Sequence, residues 1–200
     1  MRWAVVLGVA LAIDGCGSSP PTRFYTLDAV APQPVVARRI DTPVKVNAVH
    51  VPAVLDRQSI VRGKSGSELK ISSRDRWGGD FGEMARSVLT QDLQERLPGD
   101  MVIPPDSPAP GNARGIVVEI LSFEPDGSGK IVLDADWTLL TGSPPQALLE
   151  RTVRVSSAVG GSVGSEADAM SALLGRLADD IAQGLSSKLS SQTSRQARSP

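Results

Sequence analysis

The segments RGIVVEILSFEP (114–125) and KIVLDADWTLL (130–140) decide the fold that this 200-residue chain is predicted to adopt. Asp126 and Gly127 lie between them and favour a turn. In the second segment every other residue is apolar, with a period of two that predicts a β-strand with one buried and one solvated face. These residues are Ile131, Leu133, Ala135, Trp137 and Leu139. The two segments are therefore predicted to form an antiparallel hairpin.

Further strands are predicted on both sides of this hairpin. The alternation that starts at Val44 changes phase after Ala48, which predicts a bulge or bend. Leu69 and Ile71 are predicted to face inward, on a strand that follows a turn at 63–67. The strand candidates are RFYTLDAV (23–30), VKVNAVHVPAVL (44–55), QSIVRG (58–63), SELKISSRD (67–75), MVIPPD (101–106) and LLERTVRVSSAV (148–159).

Two amphipathic helices are also predicted. The first begins at Asp80, which has capping-box spacing to Glu83, and it stops at Pro98. The second begins at Ser165, with Asp168 at the same spacing. Apolar residues at helical spacing form one stripe on each helix. They are Phe81, Met84, Ala85, Val88, Leu89, Leu93 and Leu97 in the first helix, and Met170, Leu173, Leu174, Leu177, Ile181 and Leu185 in the second.

Strands combined with two amphipathic helices predict an α+β fold. A helix with one apolar stripe must bury that stripe against another element, and a sheet with one apolar face offers the matching surface. We therefore expect a single, mostly antiparallel sheet with both helices packed on one face.

Cys16 is the only cysteine in the chain, which excludes an internal disulfide or a cysteine-based zinc site. It follows Arg2 and an apolar run of 11 residues, WAVVLGVALAI (3–13). That run is too short to span a bilayer but has the length of a signal-peptide core. With Gly15 before it and Gly17 after it, Cys16 resembles the acylated cysteine of a bacterial lipoprotein signal, although Asp14 departs from the usual small residue. The alternative is an ordinary secretory signal with an incidental cysteine.

The sequence is thus divided into four parts. Residues 1–15 are interpreted as a lipoprotein signal peptide, 16–22 as a lipidated tether, 23–189 as one folded domain, and 190–200 as a polar, disordered tail. The formal net charge is −1 for the whole chain and does not change when residues 1–15 are removed, because Arg2 and Asp14 leave together. A near-neutral chain offers no basic footprint for nucleic acid, so none is expected as a partner.

Four features of the sequence are candidate sites of chemistry. His50 is the only histidine and has no catalytic motif around it. Asp134 and Asp136 share one face of a strand, as metal-binding or acid–base carboxylates can, but cross-strand pairing with Arg151 or Arg154 explains them better. The loop 160–165 lacks the residues of a phosphate-binding loop, and Trp77 suits a core position next to the first helix. No catalytic, metal-binding or cofactor-binding residue is predicted; the one site residue is the lipid-attachment residue, Cys16.

The chain also resembles a known family. CGSSP (16–20) followed by Phe24, Tyr25 and Leu27 is similar to the mature N-terminus of the ABC-type transport auxiliary lipoproteins, the PqiC/YmbA-like family. The order of later parts is similar too: VPAVLDRQSIV (51–61), Trp77 next to the first helix, and LADDIAQGL (177–185) in the last. The segment RWGGDF (76–81) departs from the family pattern.

This resemblance implies a palmitoylated lipoprotein of the outer membrane, facing the periplasm and without enzymatic activity or a cofactor. It implies partners as well: an inner-membrane ABC transporter and an MCE-domain protein, together moving lipids or other hydrophobic cargo between membranes. Self-association into a ring that docks on an MCE-protein channel is also implied. Two alternatives remain open from the residues alone. They are a stand-alone periplasmic ligand- or glycan-binding lipoprotein, and a hydrolase that uses Asp134 and Asp136.

Overall fold

A computed structural model describes residues 20–32, 40–98, 100–126 and 128–196, with only the backbone after Lys188. Each predicted strand segment contains a strand, and both predicted helices form. In chain order the elements are β1 (Arg23–Tyr25), β2 (Val44–His50), β3 (Ser59–Ser65), β4 (Glu68–Trp77), α1 (Phe81–Gln94), β5 (Val102–Ile103), β6 (Arg114–Pro125), β7 (Lys130–Thr141), β8 (Gln146–Ala158) and α2 (Val163–Gln196).

The larger sheet has five strands in the order β5–β2–β6–β7–β8. The predicted hairpin is confirmed as its β6–β7 pair, with Val118 opposite Trp137. Strand β8 extends it antiparallel to β7. On the other side, β2 runs parallel to both β6 and β5. The hairpin therefore gives this sheet its antiparallel half, and β2 gives it a parallel half.

The smaller sheet has three strands in the order β1–β4–β3. Strand β4 is antiparallel to β3, to which it is joined by a turn, and parallel to β1. The prediction of a single, mostly antiparallel sheet is therefore wrong: the α+β fold has two sheets of mixed direction. A period of two predicts which side of a strand is buried, but it carries no information about the direction of the neighbouring strand. Long connections, such as the one from β2 to β6 through α1, allow parallel pairing.

Both helices pack against the five-stranded sheet and against each other. Helix α1 covers β2 and β5, and α2 covers β7 and β8. The apolar stripe of α2 is fully buried at Leu173, Leu177 and Ile181. The inward residues of β7, from Ile131 to Leu139, are buried beneath it, as predicted.

Local predictions have mixed outcomes. The pairing of β2 with β6 changes register between Val46 and Ala48, which confirms the predicted bulge. Asp80 caps α1 by accepting a hydrogen bond from the Glu83 amide at 3.0 Å, as the sequence indicates. Ile71 was predicted to face inward, but it is 42% exposed. Its side chain lines an open cleft at the surface, together with Arg62 and Lys70.

Helix α2 begins earlier and ends later than predicted. The Ser162 hydroxyl accepts a hydrogen bond from the Ser165 amide at 3.1 Å, so Ser162 is the capping residue and Ser165 lies in the first turn. Two serines three residues apart both fit a cap by pattern, and only the backbone path distinguishes them. The backbone continues as helix to Gln196, beyond the predicted domain boundary at residue 189. Residues 197–200 of the predicted tail lie outside the described residues.

Helix α2 approaches the sheet closely at Gly184. A Cβ atom at this position would lie 2.7 and 2.8 Å from two ring carbons of Trp137. The same indole donates a hydrogen bond from Nε1 to Asp180 Oδ1, at 2.8 Å, one helical turn earlier. The ring is fully buried and held at both ends, so it has little freedom to move aside.

We expect Gly184→Ala to destabilise the protein by about 1–3 kcal/mol, the usual cost of overpacking a filled core. This loss would oppose the gain of about 1 kcal/mol that alanine normally gives over glycine inside a helix. Gly164→Ala is the matched control in the same helix, because the nearest atoms there are 3.9 and 4.0 Å away. Urea unfolding of the two variants measures the difference, and equal midpoints would contradict the close contact.

Candidate functional site

Cys16, the predicted lipid-attachment residue, lies outside the described residues, so the structure leaves that prediction untested. The described chain starts at Pro20 and enters β1 at Arg23. None of the helices in the described ranges is both long and apolar enough to cross a membrane.

His50 ends β2 with an exposed side chain, opposite Glu119 of β6. Glu119 in turn lies opposite Asp136 of β7, so the three share the uncovered face of the larger sheet. Over the residues that the structure describes, no group of three or more His, Cys, Asp or Glu side chains is placed to hold a metal ion. The structure thus places His50 next to the carboxylate of Glu119, but the described residues around it do not form a recognisable catalytic or metal-binding site.

Asp134 and Asp136 lie in cross-strand pairs with β8, as predicted from the sequence. Arg154 Nη1 donates to Asp134 Oδ2 at 2.9 Å. The Thr152 hydroxyl donates to Asp136 Oδ1 at 2.6 Å. The other predicted arginine, Arg151, instead pairs with Asp180 of α2 at 3.2 Å. Each carboxylate thus has its own polar neighbour on the solvated side of the sheet.

The two remaining features have structural roles. In the loop before α2, the Ser162 hydroxyl accepts from the Ser165 amide at 3.1 Å, so the loop supplies the cap of the helix that follows it. Trp77 is buried at the end of β4 and its ring centroid lies 5.0 Å from that of Phe81. The prediction that Trp77 is a core residue beside α1 is confirmed.

Sequence reasoning missed a segment that crosses the helices directly after β1. Leu27 is buried, and the Asp28 amide donates to the Ser171 hydroxyl of α2 at 3.1 Å. Two residues later, the Val30 amide donates to Asp92 Oδ1 of α1 at 2.7 Å. We call residues 26–32 the strap. Because its backbone donates to side chains on both helices, the strap fastens the N-terminal part of the chain to the core.

A buried charge cluster lies under the strap. Asp92 is fully buried, and Arg96, one turn later on the chain, is nearly so. The Arg96 guanidinium donates to Asp179 Oδ1 at 2.8 Å and to the Val30 carbonyl oxygen at 3.1 Å. Asp92 Oδ1 is 3.5 Å from Arg96 Nη1. One arginine thus joins α1, α2 and the strap.

Burial makes Asp92 difficult to ionise. Loss of hydration raises the pKa of its carboxyl from 3.8 to about 6, and the nearby charges of Asp179 and Glu95 add to this. The Val30 amide and the positive charge of Arg96 oppose the rise but do not cancel it. A sequence signal existed: Asp92 is three residues after Leu89 and one before Leu93, so it belongs to the buried side of α1.

A second ionic contact joins the smaller sheet to α2. Arg62 of β3 donates through Nε and Nη2 to Glu166 Oε1, at 3.1 and 2.7 Å. The Arg62 guanidinium also donates to the Gly161 carbonyl oxygen at 2.8 Å. Beside this contact is an open cleft of about 660 Å³, lined by Arg62 and residues 68–73 of β4.

The comparison with protein families identifies the chain. Residues 25–182 match the model of the ABC-type transport auxiliary lipoprotein component. The match spans both sheets and most of α2, so the chain belongs to this family, as the resemblance of its N-terminal residues predicted. No curated protein is detectably similar in sequence.

Two solved structures share the fold. The crystal structure of an uncharacterized protein superimposes with a TM-score of 0.69 at 18% identity, covering 82% of this chain and 98% of the other. A protein from Xanthomonas campestris of the DUF330 family gives a TM-score of 0.63 at 14% identity, covering 86% and 99%. At such low sequence identities, these matches show only that the fold is shared.

We expect replacing both Asp134 and Asp136 by Asn to change the free energy of unfolding by about 1 kcal/mol or less, as for solvent-accessible polar pairs. Their partners on β8, Arg154 and Thr152, are exposed and can be hydrated instead. Thermal unfolding with and without divalent cations measures the effect. A cation-dependent rise in melting temperature that is lost in the double variant would contradict the structural role.

A pH-dependent test addresses Asp92. Because its pKa is higher in the folded chain than the ordinary 3.8, folded protein binds the proton more tightly. The resulting stability is therefore fully present at low pH and is lost as the pH rises through about 6. Asp92→Asn keeps an acceptor for the Val30 amide but cannot ionise. We expect wild type to gain about 1 kcal/mol more than this variant between pH 7.5 and pH 5 in urea unfolding. Parallel pH profiles would refute the shifted pKa.

Proposed function

We propose that this protein is a non-catalytic lipoprotein subunit of an envelope-spanning ABC/MCE-type transport system that moves lipids or other hydrophobic cargo between membranes. The observation that carries this proposal is the family match over residues 25–182, in a chain whose single cysteine follows a signal-like apolar run. An MCE-domain protein and the ABC transporter components are its proposed partners.

The proposed anchor is acylated Cys16. After removal of residues 1–15, Cys16 becomes the N-terminus and carries the acyl chains, several of which are needed for stable attachment. Gly17 follows it instead of aspartate, which favours the outer membrane, and the domain then faces the periplasm. The strap supports this arrangement, because it fastens the chain just after the tether to both helices.

The non-catalytic role is supported by what the reactive side chains contact. The two carboxylates that could have served a hydrolase each have a cross-strand partner. The buried charges of Asp92 and Arg96 join the strap to the helices. The contacts of these side chains are structural, and the proposed work of the protein is to bind other proteins. Self-association into a ring belongs to the same proposal.

A second function is a stand-alone periplasmic ligand- or glycan-binding lipoprotein. The open cleft beside β4 favours it, since Arg62 and Lys70 together with serine hydroxyls could contact a polar ligand. Affinity purification from crosslinked membranes distinguishes the two functions. Recovery of an MCE-domain protein and an ABC permease supports the transport role. Recovery of neither, with a saturable glycan-dependent rise in melting temperature, supports the alternative.

We expect Cys16→Ala to abolish incorporation of labelled palmitate and to leave an unprocessed precursor or release the protein into the soluble periplasm. The physical reason is that the thiol is the only acylation site of this kind in the chain. Asp14→Ala is the matched control: it keeps the thiol and brings the signal closer to the usual pattern, so labelling should persist. Palmitate labelling that survives Cys16→Ala would disprove the anchor.

A further inference from the structure

The smaller sheet is much more basic than the rest of the chain. Strands β1, β3 and β4 contain six Lys or Arg residues and two Asp or Glu residues, a formal charge of +4 in a chain of net charge −1. The rest of the chain therefore carries −5. Asp75 pairs with Arg23, and Glu166 of α2 offsets Arg62. Much of the remaining positive charge is exposed at Lys64, Lys70 and Arg74.

The most exposed large apolar side chain in the described ranges belongs to the same sheet. Phe24, in the middle of β1, is 69% exposed. Its neighbours Arg23 and Tyr25 lie opposite Asp75 and Trp77, which are buried. Because side chains alternate along a strand, Phe24 points to the outer face, beside Arg76. An exposed aromatic ring on a sheet with exposed basic side chains is typical of a surface that binds the lipid–water interface.

The length of the tether limits how far this sheet can be from the membrane. Seven peptide units separate Cys16 from Arg23, and a fully extended chain spans at most about 3.6 Å per residue, or about 25 Å in all. A domain of this size has a radius of gyration of about 16 Å and is therefore roughly 40 Å across. The tether is shorter than the domain, so an acylated Cys16 keeps the start of β1 within about 25 Å of the bilayer surface.

From these observations we propose that the outer face of the smaller sheet docks on anionic phospholipid headgroups, with Phe24 inserted among them beside Arg76. The exposed Arg74 and Lys70 lie further along β4 and add to the positive charge of this sheet. The proposal rests on the lipid anchor of the proposed function. It adds an orientation: the small sheet faces the bilayer, and the uncovered, acidic face of the larger sheet remains free. Basic side chains bind an anionic surface by an attraction that salt screens.

The test places a fluorescent probe at residue 24. Acylation occupies the only native thiol, so Phe24→Cys provides a unique site for an environment-sensitive dye in the full lipidated protein. The matched control is Glu150→Cys, an exposed position on β8 of the larger sheet. Both proteins are reconstituted into vesicles of phosphatidylcholine, alone or with phosphatidylglycerol, that contain a quencher attached to the lipid acyl chains.

In phosphatidylglycerol vesicles we expect quenching at residue 24 to be at least about twofold stronger than at residue 150. Molar salt should lower the quenching at residue 24 to the level seen with phosphatidylcholine alone. Adding Lys70→Gln and Arg74→Gln should lower the quenching at residue 24. Arg154→Gln, which removes an exposed charge from the larger sheet, should leave it unchanged. Circular dichroism spectra that match wild type show that the variants are folded.

Flotation of the vesicles separates this proposal from the anchor. Protein that floats on both vesicle types but shows equal quenching at residues 24 and 150 overturns the docking and keeps the anchor. Protein that floats only with phosphatidylglycerol and is quenched at residue 24 supports the docking and overturns the anchor. Failure to float on either overturns both. A probe at residue 24 that responds only to added MCE-domain protein also overturns the docking, because this face would then be a protein interface.

Discussion

The contact between Trp137 and helix α2 is the constraint on which the rest of the structure depends. The indole fills the space beneath Gly184, and its Nε1 is bonded to Asp180, so both the distance and the rotation of α2 over β7 are set by one side chain. Asp180 also pairs with Arg151 of β8, which brings the third antiparallel strand under the same helix. With α2 held there, the remaining inner face of the sheet, on the β2 side, is left for α1 to cover.

Buried charge then joins this core to the N-terminal part of the chain. Arg96 is bonded to Asp179 and to the strap at Val30, so removing the Asp179 carboxylate would leave the Nε of the buried Arg96 without its partner. Leaving a buried polar group unpaired costs more free energy than pairing it gains. The cluster therefore favours one arrangement of α1, α2 and the strap over others, and contributes less to overall stability. Arg62 and Glu166 join the smaller sheet to α2 in a similar way.

These connections suit a protein whose proposed work is to be held at a membrane and to bind partners. The tether leads into β1, and the strap that follows is hydrogen-bonded to both helices. A force on the N-terminus is therefore transmitted to the core. The two sheets also divide the surface by charge. The smaller one is basic and carries Phe24, whereas the open face of the larger one presents Glu119 and Asp136.

The sequence by itself determined the strand-forming segments, the two helices, the bulge in β2, the capping of α1, the cross-strand pairing of Asp134 and the family, because each depends on local spacing or on a short motif. Whether Arg151 or Arg154 is the partner of Asp134 was decided by the structure. Only the tertiary structure decided that there are two sheets, that β2 is parallel to β6, and that Ser162 caps α2. It also decided that Ile71 is exposed. These properties depend on which distant segments meet, and a period of two or 3.6 residues carries no information about that. The strap was missed for the same reason: its bonds join residues far apart in the chain. The burial of Asp92 could have been predicted, because this carboxylate lies among the apolar residues of α1 in the sequence.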